Sequence, residues 1–207
     1  MLFKNREDAA NKLSLALKKY KNDKDTIILA LPRGGVVIGD IIAKKLNIPL
    51  DVIIPKKIIS RSFEELAIGA ICEETIYLNE QLIKDLNISD EYIQKELQKA
   101  KNDALKKNKL YRKNKGFLDL NDKTVLLVDD GIATGATIIA AIEAIKVKKA
   151  KRIIVASPLA PYPIVSILKA KVFEVICLYM PDTFFAIAQF YEKFDQVRDE
   201  EVINILK

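Results

Sequence analysis

The stretch VLLVDDGIATGAT, residues 125–137, decides the fold. It opens with four apolar residues, Val125–Val128, which is typical of a strand buried on both faces of a parallel sheet. Two adjacent carboxylates follow, then a loop of small residues, and after Gly135 the isoleucines recur at helical spacing. The stretch therefore predicts a strand, a turn and a helix in succession, with the turn at the sheet edge where α/β proteins bind ligands.

This turn offers two kinds of chemistry to a ligand. The carboxylates of Asp129 and Asp130 suit hydroxyl groups or a cation, and as neighbours they are expected to repel each other. The loop at residues 133–137 presents backbone N–H groups and threonine hydroxyls at a helix start, where the helix dipole favours an anion. A ligand that carries both a 5-phosphate and vicinal ring hydroxyls would satisfy both ends.

The rest of the chain alternates between strand and helix patterns. We expect an α/β fold with a mainly parallel twisted sheet, helices on both faces and a right-handed βαβ unit at its start. Residues 56–66 are polar and aperiodic and are predicted to form a loop, and the next two apolar segments are expected to pair as a hairpin. Asn5, Asn79 and Ser89 are the predicted N-caps of three helices. The other strands are predicted at residues 26–32, 50–54, 67–72, 75–78, 153–156 and 172–179.

The length and composition of the chain limit its domain organisation and the chemistry that it can carry out. The 207 residues are expected to form a single domain, residues 1–207, with a helical insertion at about 77–117. With 34 Lys and Arg against 28 Asp and Glu, the net charge is +6, which suits an anionic ligand without implying nucleic acid. The chain has no histidine, which excludes histidine-based acid–base catalysis, histidine zinc sites and Ser-His-Asp triads.

Two further patterns concern localisation and partners. The N-terminus has no apolar signal segment and no apolar run is long enough to span a membrane, so we expect a cytoplasmic protein without membrane contact. Nine basic and two acidic residues lie between Lys95 and Lys115, which favours a solvated helical face. A face that contacts phosphate or nucleic acid is the alternative, although nucleic-acid binding is not expected overall. Cys72 and Cys177 are predicted to be buried apolar side chains.

Residues 125–137 resemble the motif with which type I phosphoribosyltransferases bind 5-phosphoribosyl 1-diphosphate (PRPP). The resemblance implies that Asp129 and Asp130 contact the ribose 2- and 3-hydroxyls and that the following loop binds the 5-phosphate. LPRGG, residues 31–35, is similar to the family's pyrophosphate loop, which implies a cis peptide bond between Pro32 and Arg33. An arginine beside two glycines also suits a diphosphate on chemical grounds alone.

The resemblance extends along nearly the whole chain, to a group of uncharacterised bacterial predicted phosphoribosyltransferases. Lys56 and Lys57 match basic residues that the family uses near the pyrophosphate, and residues 58–66 match its flexible catalytic loop, although they contain neither glycine nor proline. Some members carry a loop carboxylate that helps to move a proton on the base, and Glu65 is the candidate here.

The acceptor is less well defined. Several purine-specific members have an aspartate where this chain has Ala133, which weakens a hypoxanthine or guanine assignment and leaves adenine open. The hood that would bind the base could come from residues 77–117 or from residues 181–194, whose aromatic side chains could stack on a base or belong to the core.

The resemblance implies a phosphoribosyltransferase that uses Mg²⁺, PRPP and a nitrogenous base and releases pyrophosphate. The metal would reach Asp129 and Asp130 indirectly, through PRPP or water. The oligomeric state stays open, with a homodimer as the candidate. A different class of function stays open, namely a non-catalytic sensor of PRPP or nucleotides on the same fold, which could bind RNA through residues 95–115. The implied catalytic residues are Asp129, Asp130, Lys57 and Glu65, and the implied PRPP ligands are Arg33, Gly34, Gly35, Lys56, Lys57, Asp129, Asp130, Gly131, Ala133, Thr134, Gly135, Ala136 and Thr137.

Overall fold

The computed structural model describes residues 2–61, 66–113 and 119–207. Its centre is a five-stranded parallel sheet, so the expected α/β architecture is confirmed. The strands of this sheet are β1 (Thr26–Ala30), β2 (Leu50–Val52), β6 (Thr124–Val128), β7 (Arg152–Leu159) and β8 (Glu174–Tyr179). They lie side by side in the order β2-β1-β6-β7-β8.

Helices cover both faces of the parallel sheet. Successive strand residues point to opposite sides, so each face carries apolar side chains that a helix can bury. They are α1 (Arg6–Ala16), α2 (Gly34–Leu46), α5 (Ala136–Val147), α6 (Tyr162–Lys169) and α7 (Asp199–Ile205), and short 3-10 helices span Lys18–Tyr20 and Ile187–Phe190. Ile28 and Ala30 pack on one face with α1, α2 and α7, whereas Ile27 and Leu29 pack on the other with α5 and α6. The predicted N-cap of α1 is confirmed, since the Asn5 side chain accepts a hydrogen bond from the Asp8 N–H.

A second, antiparallel sheet lies between two helices. Its strands β3 (Pro55–Ile59), β4 (Ala67–Cys72) and β5 (Thr75–Leu78) pair in chain order. One face packs against α5 and the other against α4 (Asp90–Arg112), and α3 (Glu80–Asp85) precedes α4. The predicted hairpin and the N-caps Asn79 and Ser89 are confirmed.

The prediction of a loop throughout residues 56–66 is wrong for its first part. Residues Pro55–Ile59 form a strand, and Ile58 is fully buried against α4. The local sequence pattern did not indicate this strand, because the strand is short and carries two adjacent lysines. β3 is therefore stabilised by packing against α4, which comes later in the chain, and not by a pattern among its own residues.

Two predictions about membranes and cysteines can be compared with the described residues. Among those residues, no helix combines the length and the apolar character needed to cross a bilayer. Both cysteines are free; Cys72 is buried as predicted, whereas Cys177 is only partly buried. Burial raises the pKa of the Cys177 thiol to about 11, so it stays protonated at neutral pH.

Candidate active site

The two carboxylates of the motif lie at the carboxyl end of β6, as predicted. Asp130 is buried and Asp129 is partly buried, and the Asp130 N–H donates to Asp129 Oδ1 over 2.9 Å. Burial raises the pKa of Asp129 well above its ordinary value, and the neighbouring charge of Asp130 raises it further. The fold therefore holds the carboxylates of Asp129 and Asp130 where they are partly shielded from water.

Arg6 of α1 compensates the charge of Asp130. Its Nε donates to Asp130 Oδ2 over 2.7 Å, and its Nη1 donates to the Asp195 carbonyl over 2.7 Å. The guanidinium also lies over the Phe194 ring, 3.8 Å from its centroid. Burial raises the pKa of Asp130, and Arg6 opposes that shift. The expected repulsion between the two aspartates is thus offset by a third residue.

The C-terminal segment fixes the same turn from another side. The buried Tyr191 hydroxyl donates to the Asp130 carbonyl over 2.7 Å. The side chain of Ile187 fills the space beside Gly131. We refer to Arg6, Asp129, Asp130 and Tyr191 as the acidic region, and each of its groups has a defined partner in the fold.

The second predicted loop lies directly beside the acidic region. Ala30 and Val128 are register partners at the ends of β1 and β6, so the loops that follow these strands leave the sheet side by side. The expected cis peptide bond between Pro32 and Arg33 is confirmed. Gly34 approaches Asp130 so closely that a Cβ atom there would overlap the carboxylate. The two motifs, nearly a hundred positions apart in the chain, therefore form one continuous site.

The predicted phosphate loop leads into α5. Gly135 adopts a left-handed conformation with φ of 77°, which favours glycine, and the helix begins at the next residue. Thr134 is exposed and Thr137 is partly buried. The first N–H groups of a helix have no partner within it, so the geometry is suited to an anion.

A pocket of about 390 Å³ opens beside the cis peptide bond. Its polar wall combines Arg33 and Lys56 with two α4 side chains, Lys107 and Tyr111, and we call these four residues the cationic pocket. Lys57, the next residue of β3, is exposed and does not line it. Of the two predicted lysines, the structure therefore brings Lys56 to Arg33. The apolar wall consists of Pro32, Ile54 and Pro55.

The basic run on α4 differs from its prediction. The apolar residues that recur at helical spacing along α4 are buried, namely Ile93, Leu97, Ala100 and Ala104. Lys107 binds Asp199, however, and the buried Arg112 binds Asp51 at 3.2 Å. The prediction of a solvated face is therefore wrong for these two side chains. Glu65, the predicted loop carboxylate, lies outside the described residues.

Sequence reasoning missed four residues of the site: Arg6, Lys107, Tyr111 and Tyr191. Each comes from an element remote in sequence from the two motifs. The clustering of basic residues on α4 did not single out Lys107. The aromatic residues of 181–194 were expected to stack on a base or to belong to the core, and Tyr191 belongs to the core, but its bond to Asp130 was not predicted. No pattern around Arg6 marked it as the partner of a carboxylate.

The described residues offer limited protein ligands for a metal ion. No group of three or more His, Cys, Asp or Glu side chains that could hold a metal occurs in the described ranges. Arg6 already binds one oxygen of Asp130. This donor set fits an Mg²⁺ ion whose ligands come mainly from a bound phosphate compound and water, which is a common arrangement for that ion.

Comparison with known proteins gives a consistent match. Residues 2–194 match the family model described as phosphoribosyl transferase domain. Two Mycobacterium tuberculosis proteins, from strains CDC 1551 / Oshkosh and ATCC 25618 / H37Rv, are each 34% identical to the chain over 206 residues and are provisionally named phosphoribosyl transferases. The matched region is 99% of this chain and 46% of each relative, so the chain spans less than half the length of these curated relatives.

Solved structures support the same architecture. The crystal structure of the protein TT1426 from Thermus thermophilus has a TM-score of 0.84 and 33% identity, and the match covers 100% of this chain and 98% of that chain. A hypoxanthine phosphoribosyltransferase from Staphylococcus aureus has a TM-score of 0.50 and 12% identity over 86% of this chain and 74% of its own. The second likeness shows a shared fold and no more.

Proposed function

The chain belongs to the phosphoribosyl transferase domain family, and on that premise we propose that it transfers the 5-phosphoribosyl group of PRPP to a nitrogenous acceptor and releases pyrophosphate. The observation that carries this proposal is the contact between the two loops at Gly34 and Asp130. It joins a carboxylate pair suited to ribose hydroxyls to a cationic pocket suited to a diphosphate. A ligand with both groups would bridge them.

The proposed reaction is a displacement at C1 of the ribose. A lone pair on the acceptor nitrogen forms the new bond to C1, while the bond from C1 to the diphosphate oxygen breaks and its electrons leave with the diphosphate. Arg33 and Lys56 would stabilise that developing negative charge, which is usually the largest catalytic effect in such a site. The acceptor proton would pass to Glu65 or to water.

The acidic region would hold the ribose while this happens. Asp129 and Asp130 would accept hydrogen bonds from the two ribose hydroxyls, and Thr134, Gly135 and Thr137 would bind the 5-phosphate. Fixing both ends of the sugar would orient C1 toward the acceptor, an effect that can contribute several kcal/mol to catalysis. The remaining predicted ligands are Gly34, Gly35, Lys57, Gly131, Ala133 and Ala136.

Mg²⁺ is proposed as the metal, delivered as its complex with PRPP. When bound, the ion would neutralise charge on the leaving diphosphate. Asp129 and Asp130 would contact it only through PRPP or water, in keeping with the few metal ligands that the described residues offer.

The decisive experiment measures pyrophosphate release from PRPP and Mg²⁺ against a panel of purine and pyrimidine bases, adenine included. We expect release with at least one base, and little release from Asp129→Asn or Arg33→Ala protein. PRPP binding without release with any base would favour the alternative, a PRPP or nucleotide sensor. Absence of both binding and release would contradict the proposal.

A further inference from the structure

A carboxylate from the same chain contacts three side chains of the cationic pocket. Asp199, the first residue of α7, binds Lys107 through Oδ2. Its Oδ1 accepts a hydrogen bond from the Tyr111 hydroxyl over 2.6 Å and lies 3.8 Å from Arg33 Nη1. The hydrogen bonds from Lys107 and Tyr111 lower the pKa of Asp199, so the group is an anion at neutral pH.

Three cations, Arg33, Lys56 and Lys107, line the pocket, and the Asp199 carboxylate contacts two of them. A single carboxylate leaves positive charge uncompensated in the pocket, whereas a diphosphate carries more charge and more acceptor oxygens. The Arg33 side chain is also 39% exposed, which leaves it accessible to a ligand. The positive charge of the pocket and its number of hydrogen-bond donors therefore match a diphosphate better than they match the single Asp199 carboxylate.

The fold allows Asp199 to leave without unfolding its helix. Val202, on the same helix, is fully buried in the core on one face of the parallel sheet, and α7 packs against α2 and α4. The Asp199 side chain is 26% exposed at the helix start. Rotation of this one side chain would free the Lys107 and Tyr111 donors while α7 stays docked.

We infer that Lys107 and Tyr111 of α4 are ligands of the diphosphate group, and that Asp199 occupies their place in the free protein and is displaced when the diphosphate binds. This inference rests on the proposed function, and it deepens that function by adding two ligands from α4 and an internal competitor from α7. It also gives the basic run on α4 a defined role in binding.

The test is calorimetric titration of the full chain with inorganic pyrophosphate and with ribose 5-phosphate. We expect Asp199→Asn to bind pyrophosphate about tenfold more tightly, since the competing charge is gone, and Lys107→Met to bind it about tenfold more weakly. Ribose 5-phosphate affinity should stay within about twofold in both variants. Lys106→Met removes the same charge as Lys107→Met from an adjacent exposed position and should change neither affinity.

Two results would overturn the inference. One is weaker or unchanged pyrophosphate binding by Asp199→Asn; the other is unchanged binding by Lys107→Met, which also decides the matter if the Asp199 variant fails to fold. If PRPP still binds through Arg33 and releases pyrophosphate while both variants behave as wild type, only this inference fails. If wild-type protein binds neither PRPP nor pyrophosphate, the proposed function fails with it.

Discussion

The acidic region and the cationic pocket lie on adjacent loops, but they are built in different ways. In the acidic region the ion pair between Arg6 and Asp130 is nearly buried, with side-chain exposures of 12% and 11%. In the cationic pocket Arg33 is 39% exposed and its partner Asp199 is 26% exposed, although Tyr111 is buried. Substitutions in the first region should therefore alter stability as well as binding, whereas substitution of the exposed Arg33 in the second should alter binding with little effect on stability.

The largest expected effect is on stability in the acidic region. Arg6→Met leaves the Asp130 carboxylate buried without its cation, and breaking a buried pair in this way typically costs about 3–5 kcal/mol. Lys12→Met, which breaks the exposed pair with Asp8 on the same helix, should cost less than about 1 kcal/mol. Urea unfolding of the two variants measures the difference. Equal losses would mean that the acidic region is no more dependent on its ion pair than the surface is.

The next effect concerns the point where the two regions meet. Gly34→Ala would place a methyl group on the Asp130 carboxylate and separate the loops, so PRPP affinity should fall by about a hundredfold, or roughly 2.7 kcal/mol. Gly39→Ala, in the same helix, would meet Ala30 Cβ at 3.0 Å and Leu50 Cδ1 at 3.1 Å, and its three nearest atoms include none of Asp129 or Asp130. That control should keep its PRPP affinity whatever it costs in stability. Similar affinities for both variants would argue against a shared ligand at this contact.

A smaller effect is expected in the cationic pocket. Arg33→Ala removes a charged donor whose loss typically costs about 1.5–3 kcal/mol, so PRPP and pyrophosphate should bind roughly ten- to a hundredfold more weakly. Ribose 5-phosphate should be little affected, and the unfolding free energy should stay nearly unchanged. If all three ligands weakened equally, Arg33 would support the site as a whole; if none did, it would be an ordinary turn residue.

The smallest effect is a gain in stability. Because the pKa of Asp129 is raised in the folded state, folding favours its neutral form, and wild-type protein loses stability as pH rises through that pKa. Asp129→Asn stays neutral and keeps an oxygen for the Asp130 N–H. It should be about 0.5–1 kcal/mol more stable than wild type at neutral pH. Unfolding at neutral pH and in acid checks this, since the gain should shrink in acid; a gain that is independent of pH would point to another cause.

Local patterns in the sequence predicted most of the fold. The strand before Asp129, the helix after Gly135 and the buried stripe of α4 follow from apolar spacing, which is a property of neighbouring residues. β3 was not predicted, because its burial depends on α4 and α5, which come much later in the chain.

The residues of the site fall into the same two groups, those that local patterns predict and those that they do not. Arg33, Asp129 and Asp130 stand in motifs whose chemistry is visible from adjacent residues. Arg6 is 124 positions from its partner Asp130, and Lys107 is 92 positions from Asp199. Pairs so far apart depend on the packing of α1, α4 and α7, which no spacing rule encodes.

We propose that one PRPP molecule spans the acidic region and the cationic pocket, and competition between PRPP and its two fragments can detect this. Wild-type protein with Mg²⁺ is titrated with PRPP in the presence of ribose 5-phosphate, of pyrophosphate, and of both together. If one PRPP molecule spans both regions, each fragment competes with PRPP, while the two fragments bind side by side to the same protein molecule, and this is the result that we expect. Failure of either fragment to compete, or mutual exclusion of the two, would contradict it.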